Sequence, residues 1–218
     1  MAVSRLLAEL APACDARLGV HVDVKSVGGV DAARRVAEGE VLDFVVLAET
    51  AMDRLAEALR IDPATRMPIA RAAMALAVAP GMTPPRIETA EAVRGAVLAA
   101  GRVAYSTGPS GRHLLELLDR WAIAGRMAPR LVLAPPGTSV ASLLARGDAE
   151  IGFQQMSELI GVAGIAIAGQ LPADVAMITV FEGAVCATSR QPGRVRDVLE
   201  FLGSMEHAAP RARHGFQP

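Results

Sequence analysis

Apolar residues recur along the chain with two periods in turn, and these periods predict helices alternating with strands. Residues 4–18 carry apolar positions at helical spacing with Ser4 as the expected cap, and residues 20–27 alternate valine with polar residues as a strand does. Residues 30–38 return to the helical period. The continuous apolar run at 44–48 is typical of a strand covered on both faces, and a third helix is expected at 49–59. This order predicts an α/β layer with a parallel sheet.

Two long apolar runs, residues 69–79 and 179–188, divide the rest of the chain. Shorter elements are expected between and after them: helices at 89–100, 111–125 and 140–146, strands at 102–105, 131–134, 150–154 and 165–168, a short helix opened by residues 155–158, and tail helices at 194–204 and 206–213. We interpret the long runs as two hinge strands. The expected lobes are residues 1–78 with 186–218, and residues 79–185, with closure over a ligand in a cleft between them.

One stretch, YSTGPSGRH at 105–113, joins a strand to a helix through glycines and hydroxyls. The first N–H groups of a helix carry the positive end of its dipole, and glycines let a bound group approach the backbone closely. This arrangement favours a small anion, for which Arg112 adds a positive charge. The candidate ligand contacts here are Ser106, Thr107, Gly108, Ser110, Gly111 and Arg112. The alternative is a capped helix without a ligand, since the same residue types serve plain capping.

Composition narrows the functional classes. The net charge is −1 and no basic run occurs, so nucleic acid is not an expected partner. Cys14 and Cys186 lie far apart without zinc or redox spacing, and we expect two buried free thiols. The phosphate-loop, zinc-protease and nucleophile-elbow motifs are missing from the sequence, which argues against kinases, metalloenzymes and hydrolases, and no cofactor or metal is expected.

The sequence also bears on compartment. No apolar run reaches the roughly 18 residues of a membrane span, so no membrane insertion is expected. No signal peptide is visible at the first residues, which predicts a cytoplasmic protein for the chain as written and a periplasmic one if the true start lies upstream.

Four stretches together resemble the molybdate-binding-protein-like group of type 2 periplasmic solute-binding proteins. They are EGEVLDFVVLAETAMDRLAEA, VAYSTGPSGRHLLELLDRWAIA, LARGDAEIGFQQMSELI and the closing RARHGF, and the resemblance runs over nearly the whole chain. It implies two α/β lobes with mixed sheets, a small oxyanion or carboxylate between them, and an ABC permease as candidate partner. Its ligand loops match Ala2 and Val3, Gly28 and Gly29, Ala48 to Thr50 with Glu49 between them, residues 106–111, and Gln154 to Ser157.

Charged residues beside these loops bear on the class of ligand and on the function. Molybdate binders of this group use backbone N–H groups and hydroxyls, whereas Arg112, His113 and Glu158 stand beside the site here, which favours an organic acid. The first hypothesis is therefore a solute-binding protein that grips a small anion without chemistry. The same superfamily includes an aconitate isomerase, so the second is an isomerase or tautomerase of a small polycarboxylate, with His113, Glu158 or Glu49 moving a proton. A sensor that binds without transport is a third.

The sequence leaves the role of two adjacent glutamines open. Gln154 and Gln155 end a strand at the expected site, and one of them is expected to bind the ligand while the other packs or faces water. Gln154 is the one we name as a ligand contact. His21 is expected to be exposed, and His207 and His214 receive no role.

Overall fold

A computed structural model describes residues 2–217 of the chain. The chain divides into two compact units, Met1–Ala72 with Thr179–Pro218, and Ala73–Ile178. The division falls earlier on both long strands than the boundaries at 78/79 and 185/186 that the apolar runs suggested. The apolar pattern cannot locate the boundary between the units, because β2 (Met67–Val78) is a mostly apolar strand that continues from one unit into the other.

The first unit packs helices on an antiparallel pair of strands. Besides the first part of β2 it contains α1 (Ser4–Leu18), α2 (Gly29–Ala37), β1 (Phe44–Ala48), α3 (Glu49–Glu57), β7 (Ile178–Val185), α9 (Pro192–Gly203) and α10 (Ala208–Arg213). β1 pairs antiparallel with β7, from Phe44 opposite Val185 to Ala48 opposite Phe181. In the strand order β7 lies between β1 and β2.

Helix α1 has the predicted bounds, but two local expectations beside it are wrong. Its N-cap is Val3, so Ser4 is the first helical residue and not the cap. Gly19 ends the helix in the left-handed conformation (φ 61°), where glycine has no steric cost. The strand predicted at 20–27 does not form. Val20, Val22 and Val24 of this segment are half-buried on the core cluster of α1 and α9, yet none of the described residues pairs with the segment as a strand.

The second unit contains the remaining part of β2 and nine further elements. These are α4 (Ala90–Ala99), β3 (Val103–Tyr105), α5 (Pro109–Arg120), α6 (Ala124–Met127), β4 (Leu131–Leu133), α7 (Val140–Ala145), β5 (Ile151–Gln155), α8 (Met156–Leu159) and β6 (Ala166–Gln170). β3 is parallel to β4 and β5, whereas β2 is antiparallel to β5 and β6, so the sheet is mixed as predicted.

Two predicted helices are interrupted. The helix expected at 111–125 begins earlier, at Pro109, and breaks after Arg120 into α5 and α6, with Ala122 in the left-handed region (φ 55°) between them. The helix expected at 206–213 begins with a separate turn at Met205–His207.

Opposite faces of β5 pack against different helices. Phe153 belongs to the core cluster that contains Leu114 and Leu117 of α5. On the other face a Cβ atom on Gly152 would lie 2.4 Å from Val140 of α7, so this contact requires glycine. Since side chains alternate along a strand, Gln155 lies on the α5 side and Gln154 on the α7 side.

Candidate functional site

The loop between β3 and α5 is held in one shape by its own backbone. A Cβ atom on Gly111 would lie 1.7 Å from the backbone oxygen of Ser106, so only glycine fits there. Ser106 Oγ accepts a hydrogen bond from the Gly108 N–H at 3.2 Å, and Gly108 is the N-cap of α5. The first turn of α5 therefore folds back on the loop, and Pro109 at its first position is pre-set for a helix start.

A buried hydrogen bond links this loop to the end of β5. Ser110 is 0% exposed, and its Oγ donates to Oε1 of Gln155 at 3.2 Å; Gln155 is 3% exposed and is the N-cap of α8. β3 and β5 are parallel, with Val103 opposite Ile151, so their carboxyl ends meet at one edge of the sheet. The starts of α5 and α8 are thus brought together in the second unit, where N–H groups and hydroxyls converge.

Gln154, the residue named from the sequence, points the other way. Its side chain is 2% exposed, and its Oε1 accepts a hydrogen bond from the Ala141 N–H at 3.1 Å. Ser139 caps the same helix by accepting from the Ser142 N–H at 3.0 Å. Gln154 therefore stabilises the start of α7, and the contacts favour Gln155 as the amide beside the loop. The alternation of Gly152 and Phe153 was the sequence signal that could have distinguished the two.

The ring of His113 is held by a backbone carbonyl. Its Nε2 lies 3.0 Å from the oxygen of Val175, so it is the protonated nitrogen that donates. Nδ1 lies 3.7 Å from Oε2 of Glu116 on the same helix, and the side chain is mostly buried. This places the ring in packing between α5 and the turn at Ala173–Val175, which favours a structural role over proton transfer.

The other predicted contacts of the second unit differ in exposure. Arg112, in the first turn of α5, and Thr107 are exposed, while Ser157 of α8 is buried and Glu158 is half-buried. A cation in the first turn of a helix opposes the dipole, so the position of Arg112 is not explained by helix stability. A guanidinium beside hydroxyls and helix amides suits a carboxylate or another oxyanion.

The first unit holds the other predicted contacts at the starts of three helices. Gly28 is the N-cap of α2, and a Cβ atom on Gly29 would lie 3.9 Å from Leu47 at the end of β1, so α2 starts beside that strand end. Ala48 is the N-cap of α3, and Glu49 is its exposed first residue. Val3, the buried N-cap of α1, shares the core cluster of Ala48, and Ala2 is half-buried beside it.

An ion-pair cluster that sequence reasoning missed fixes α3 in the first unit. Arg66 lies 2.6 Å from Oε2 of Glu182 on β7 and 2.8 Å from Oδ1 of Asp53 on α3. The hydrogen bonds that Arg66 donates to Glu182 raise the pKa of Arg66, so the guanidinium stays charged. Asp53 lies one turn after Glu49, and the cluster therefore positions the helix that carries it. Its members are far apart in sequence, so no local pattern pointed to it.

The described residues also bear on metal binding, membrane insertion and cysteine chemistry. Residues 2–217 hold no group of three or more His, Cys, Asp or Glu side chains arranged to bind a metal ion. None of their helices is both long and apolar enough to cross a membrane. Cys14 and Cys186 are buried free thiols, as predicted, and burial raises the pKa of Cys186 to about 12, which makes it unreactive.

Comparison with known proteins finds a solute-binding family and an enzyme among the proteins that this chain resembles. The family model described as "Bacterial extracellular solute-binding protein" matches residues 1–217. A curated relative, the aconitate isomerase of a Pseudomonas species, is 31% identical over 215 residues, which cover 96% of this chain and 82% of that protein.

Solved structures show the fold. The periplasmic molybdate-binding protein of Azotobacter vinelandii superposes with a TM-score of 0.78 at 17% identity, covering 98% of this chain and 94% of that one. A sulfate-binding protein from Mycobacterium tuberculosis gives a TM-score of 0.75 at 19% identity, covering 98% and 83%. At such identities the likeness establishes the fold alone, which is the type 2 periplasmic-binding-protein fold predicted from the sequence.

Proposed function

The chain belongs to the family of bacterial extracellular solute-binding proteins, and from that premise we propose that it binds a small organic anion. The observation that carries the proposal is the Ser110–Gln155 hydrogen bond, which brings the starts of α5 and α8 together. In the proposal the primary contacts are Ser106, Thr107, Gly108, Ser110, Gly111 and Arg112 with Gln155 and Ser157. The residues at the helix starts of the first unit, including Gly28, Gly29, Ala48 and Glu49, are further contacts.

The donors of the second unit support an anion over a cation or an uncharged ligand. Helix α5 has 12 residues, so its dipole is developed, and its N-cap is a glycine without a side chain to occupy the first amides. Because Gly111 is locked against Ser106, these amides are held in place before a ligand arrives. A pre-ordered site loses less conformational entropy on binding.

Two features favour a carboxylate over molybdate or sulfate. The molybdate binders that the sequence resembles use backbone N–H groups and hydroxyls, whereas Arg112 adds a charged planar fork that matches a carboxylate in bidentate geometry. The 31% identical relative is named for its action on aconitate, a small polycarboxylate. We therefore propose a di- or tricarboxylate as the ligand, with Arg112 facing one carboxylate group.

A melting-temperature panel tests the proposal. The purified protein is heated with cis-aconitate, trans-aconitate, citrate, molybdate, tungstate or sulfate. A ligand at about 100 times its Kd stabilises by roughly 2.7 kcal/mol, which is readily seen as a raised melting temperature. We expect polycarboxylates to raise it and Arg112→Gln to abolish the rise. Arg120→Gln, an exposed arginine in the last turn of the same helix, is the matched control and should leave the rise intact. If none of the six anions shifts the melting temperature, the proposal is wrong.

An isomerase acting on the same ligand is the second candidate, supported by the same relative. Of the three proton-transfer candidates, His113 is engaged with the Val175 carbonyl, so Glu158 and Glu49 are favoured. Proton NMR of trans-aconitate incubated with the protein in D₂O would show conversion and deuterium incorporation. Turnover that is lost in Glu158→Gln or Glu49→Gln but retained in His113→Gln would support this candidate. Binding without turnover would support the first.

The family description supports a proposal about the partner and the compartment. We propose that the protein delivers its ligand to an ABC permease outside the cytoplasm, because the family is described as extracellular. A permease gene beside the coding gene, and ligand-dependent retention of the protein by that permease in detergent, are the expected findings. A sensor would bind the ligand and show neither.

A further inference from the structure

A groove on the first unit lies between α1 and the segment that follows α9. It has a volume of about 560 Å³ and is lined by Ala13, Ala16, Arg17, Phe201, Glu206 and His207. These residues are separate from the predicted ligand contacts, since Arg17 lies in the last turn of α1 and Val3 at its start. The alanines and the Phe201 ring form its apolar wall, and Arg17 and Glu206 are its exposed charged residues.

His207 is the buried polar residue of this groove. It is 9% exposed, and its ring packs on Phe201 with centroids 4.6 Å apart at 66°. Its Nε2 is buried and has no hydrogen-bond partner among residues 2–217. Oε1 of the Glu206 carboxylate lies 3.8 Å from Nε2, which is too far for a hydrogen bond.

Glu206 is engaged by another partner. Arg17 Nη1 donates to both carboxylate oxygens of Glu206, at 3.0 and 2.9 Å, and the guanidinium carbon lies 5.9 Å from the centre of the Phe201 ring. The carboxylate thus stands between a permanent cation on α1 and an imidazole that becomes a cation only on protonation. The arrangement fits a neutral His207, because a protonated Nε2 would be a buried N–H that stands 3.8 Å from the carboxylate oxygen of Glu206 and makes no hydrogen bond.

We propose that protonation of His207 opens the Arg17–Glu206 ion pair and so unfastens the Met205–His207 turn from α1. A protonated Nε2 becomes a charged donor, and a shift of about 1 Å brings Oε1 of Glu206 into hydrogen-bond range. The imidazolium also repels Arg17. The inference concerns a part of the molecule apart from the proposed anion site and does not depend on it.

The charged groups that face His207 shift its pKa in opposite directions, Glu206 upward and the two arginines downward. Burial lowers the pKa of His207, Glu206 raises it, and Arg211 of α10 and Arg17 of α1 lower it further. Phe201 of α9 packs on the ring and carries no charge, and a backbone hydrogen bond with Phe201 raises the pKa of His207. Removing Glu206 should therefore lower the pKa of His207, and removing Arg17 should raise it.

An NMR titration tests the device. The imidazole signals of the four histidines and the side-chain N–H signals of Arg17 are followed from pH 8 to pH 5. We expect His207 to titrate below the ordinary histidine value of 6.5 and the Arg17 signals to move with the midpoint of His207. Amide exchange at residues 204–208, corrected for the intrinsic rate, should rise about 1.5- to 5-fold at the acid end, the range to which loss of an exposed ion pair converts.

Variants separate this device from general acid loosening. In His207→Gln the movement of Arg17 and the rise in exchange should vanish. In Glu206→Gln, where the packed ring is left in place, the midpoint of His207 should fall. The proposal would be overturned if the Arg17 signals did not change over the titration of His207, or if their change persisted in His207→Gln. A His207 midpoint that rises in Glu206→Gln would also overturn it.

Discussion

The backbone oxygen of Ser106 and the Cα atom of Gly111 are in such close contact that a Cβ atom on Gly111 would lie 1.7 Å from that oxygen. Both atoms belong to backbone, so a flexible side chain cannot move aside. The contact folds the first turn of α5 against the loop after β3 and sets the direction of the first amides of the helix. The proposed anion site therefore depends on Gly111, which has no side chain to contact a ligand but allows the backbone to fold into this shape.

Gly111→Ala is expected to destabilise the protein despite the better helix propensity of alanine. Forcing a methyl group into a filled site costs typically 1–3 kcal/mol, and a contact with backbone places this case near the upper end, at about 3 kcal/mol. Urea unfolding followed by circular dichroism measures it. Gly95→Ala is the control, since Gly95 lies inside α4 with nothing within 4 Å of its Cβ position, and it should stabilise by about 0.5–1 kcal/mol. Equal effects of the two substitutions would contradict the contact.

The side chain of Arg211 is expected to be among the most important for stability in the first unit. It is 4% exposed, and its three nitrogens donate to the carbonyls of Ile69, Ser204 and Leu202 at 2.7, 2.9 and 3.0 Å. Arg211→Met should cost about 3 kcal/mol, because these carbonyls at the end of α9 and in β2 lose a charged donor.

Arg213→Gln is the matched control for that measurement. Arg213 is 60% exposed and pairs with Glu9 on the surface, so its loss should cost at most about 1 kcal/mol. Chemical denaturation of both variants gives the comparison. If Arg211→Met lowers the free energy of unfolding no more than Arg213→Gln does, the three buried hydrogen bonds of Arg211 do not stabilise the protein more than a methionine side chain does.

Stability is expected to fall in acid through Glu9. The hydrogen bond from Arg213, and after it that from His214, lowers the pKa of Glu9 from its ordinary value of 4.5. A carboxylate with a lowered pKa stabilises the folded state above its unfolded pKa, and this contribution is lost as the pH falls through the folded pKa. Melting temperatures measured from pH 6 downward should therefore drop more steeply for the unaltered protein than for Glu9→Gln. Parallel curves would contradict the pairing of α1 with the end of α10.

Gln154 and Gln155 provide a matched pair for ligand binding, since they are adjacent, equally buried and on opposite faces of β5. Gln155→Met should weaken binding of the best polycarboxylate about tenfold or more, because a hydrogen bond to a charged group contributes about 1.5–3 kcal/mol. Gln154→Met should lower stability by about 1 kcal/mol through the lost contact with α7 and leave affinity nearly unchanged. Calorimetric titration of the two variants measures this, and the reverse ranking would place the ligand on the α7 side.

Local patterns predicted most of the fold. The bounds of α1 and β1 agree with the prediction to the residue, because an amphipathic period and a continuous buried run are strong local signals. The alternation at residues 20–27 was as clear, but a strand also needs a neighbour to bond with. None of the described residues provides one, so the valines bury their side chains without forming a ladder.

The site was less predictable than the fold. The loop of Ser106 to Arg112 could be put forward as a candidate site from its residue types, but the partner of Ser110 could not be predicted, since it lies 45 residues away on β5. His113 looked available for proton transfer because it adjoins that loop, and only the structure shows its Nε2 on the Val175 carbonyl. Long-range contacts of this kind leave no trace in local periodicity.

We propose that a small organic anion binds where α5 and α8 begin, and backbone amide mapping would locate the bound anion residue by residue. Citrate or trans-aconitate is titrated into ¹⁵N-labelled protein while amide shifts are recorded. We expect saturable shifts concentrated at residues 106–112 and 155–158, with smaller ones at the helix starts of the first unit. These shifts should be lost in Arg112→Gln but not in Arg120→Gln. Shifts confined to other surfaces, or equal in both variants, would contradict it.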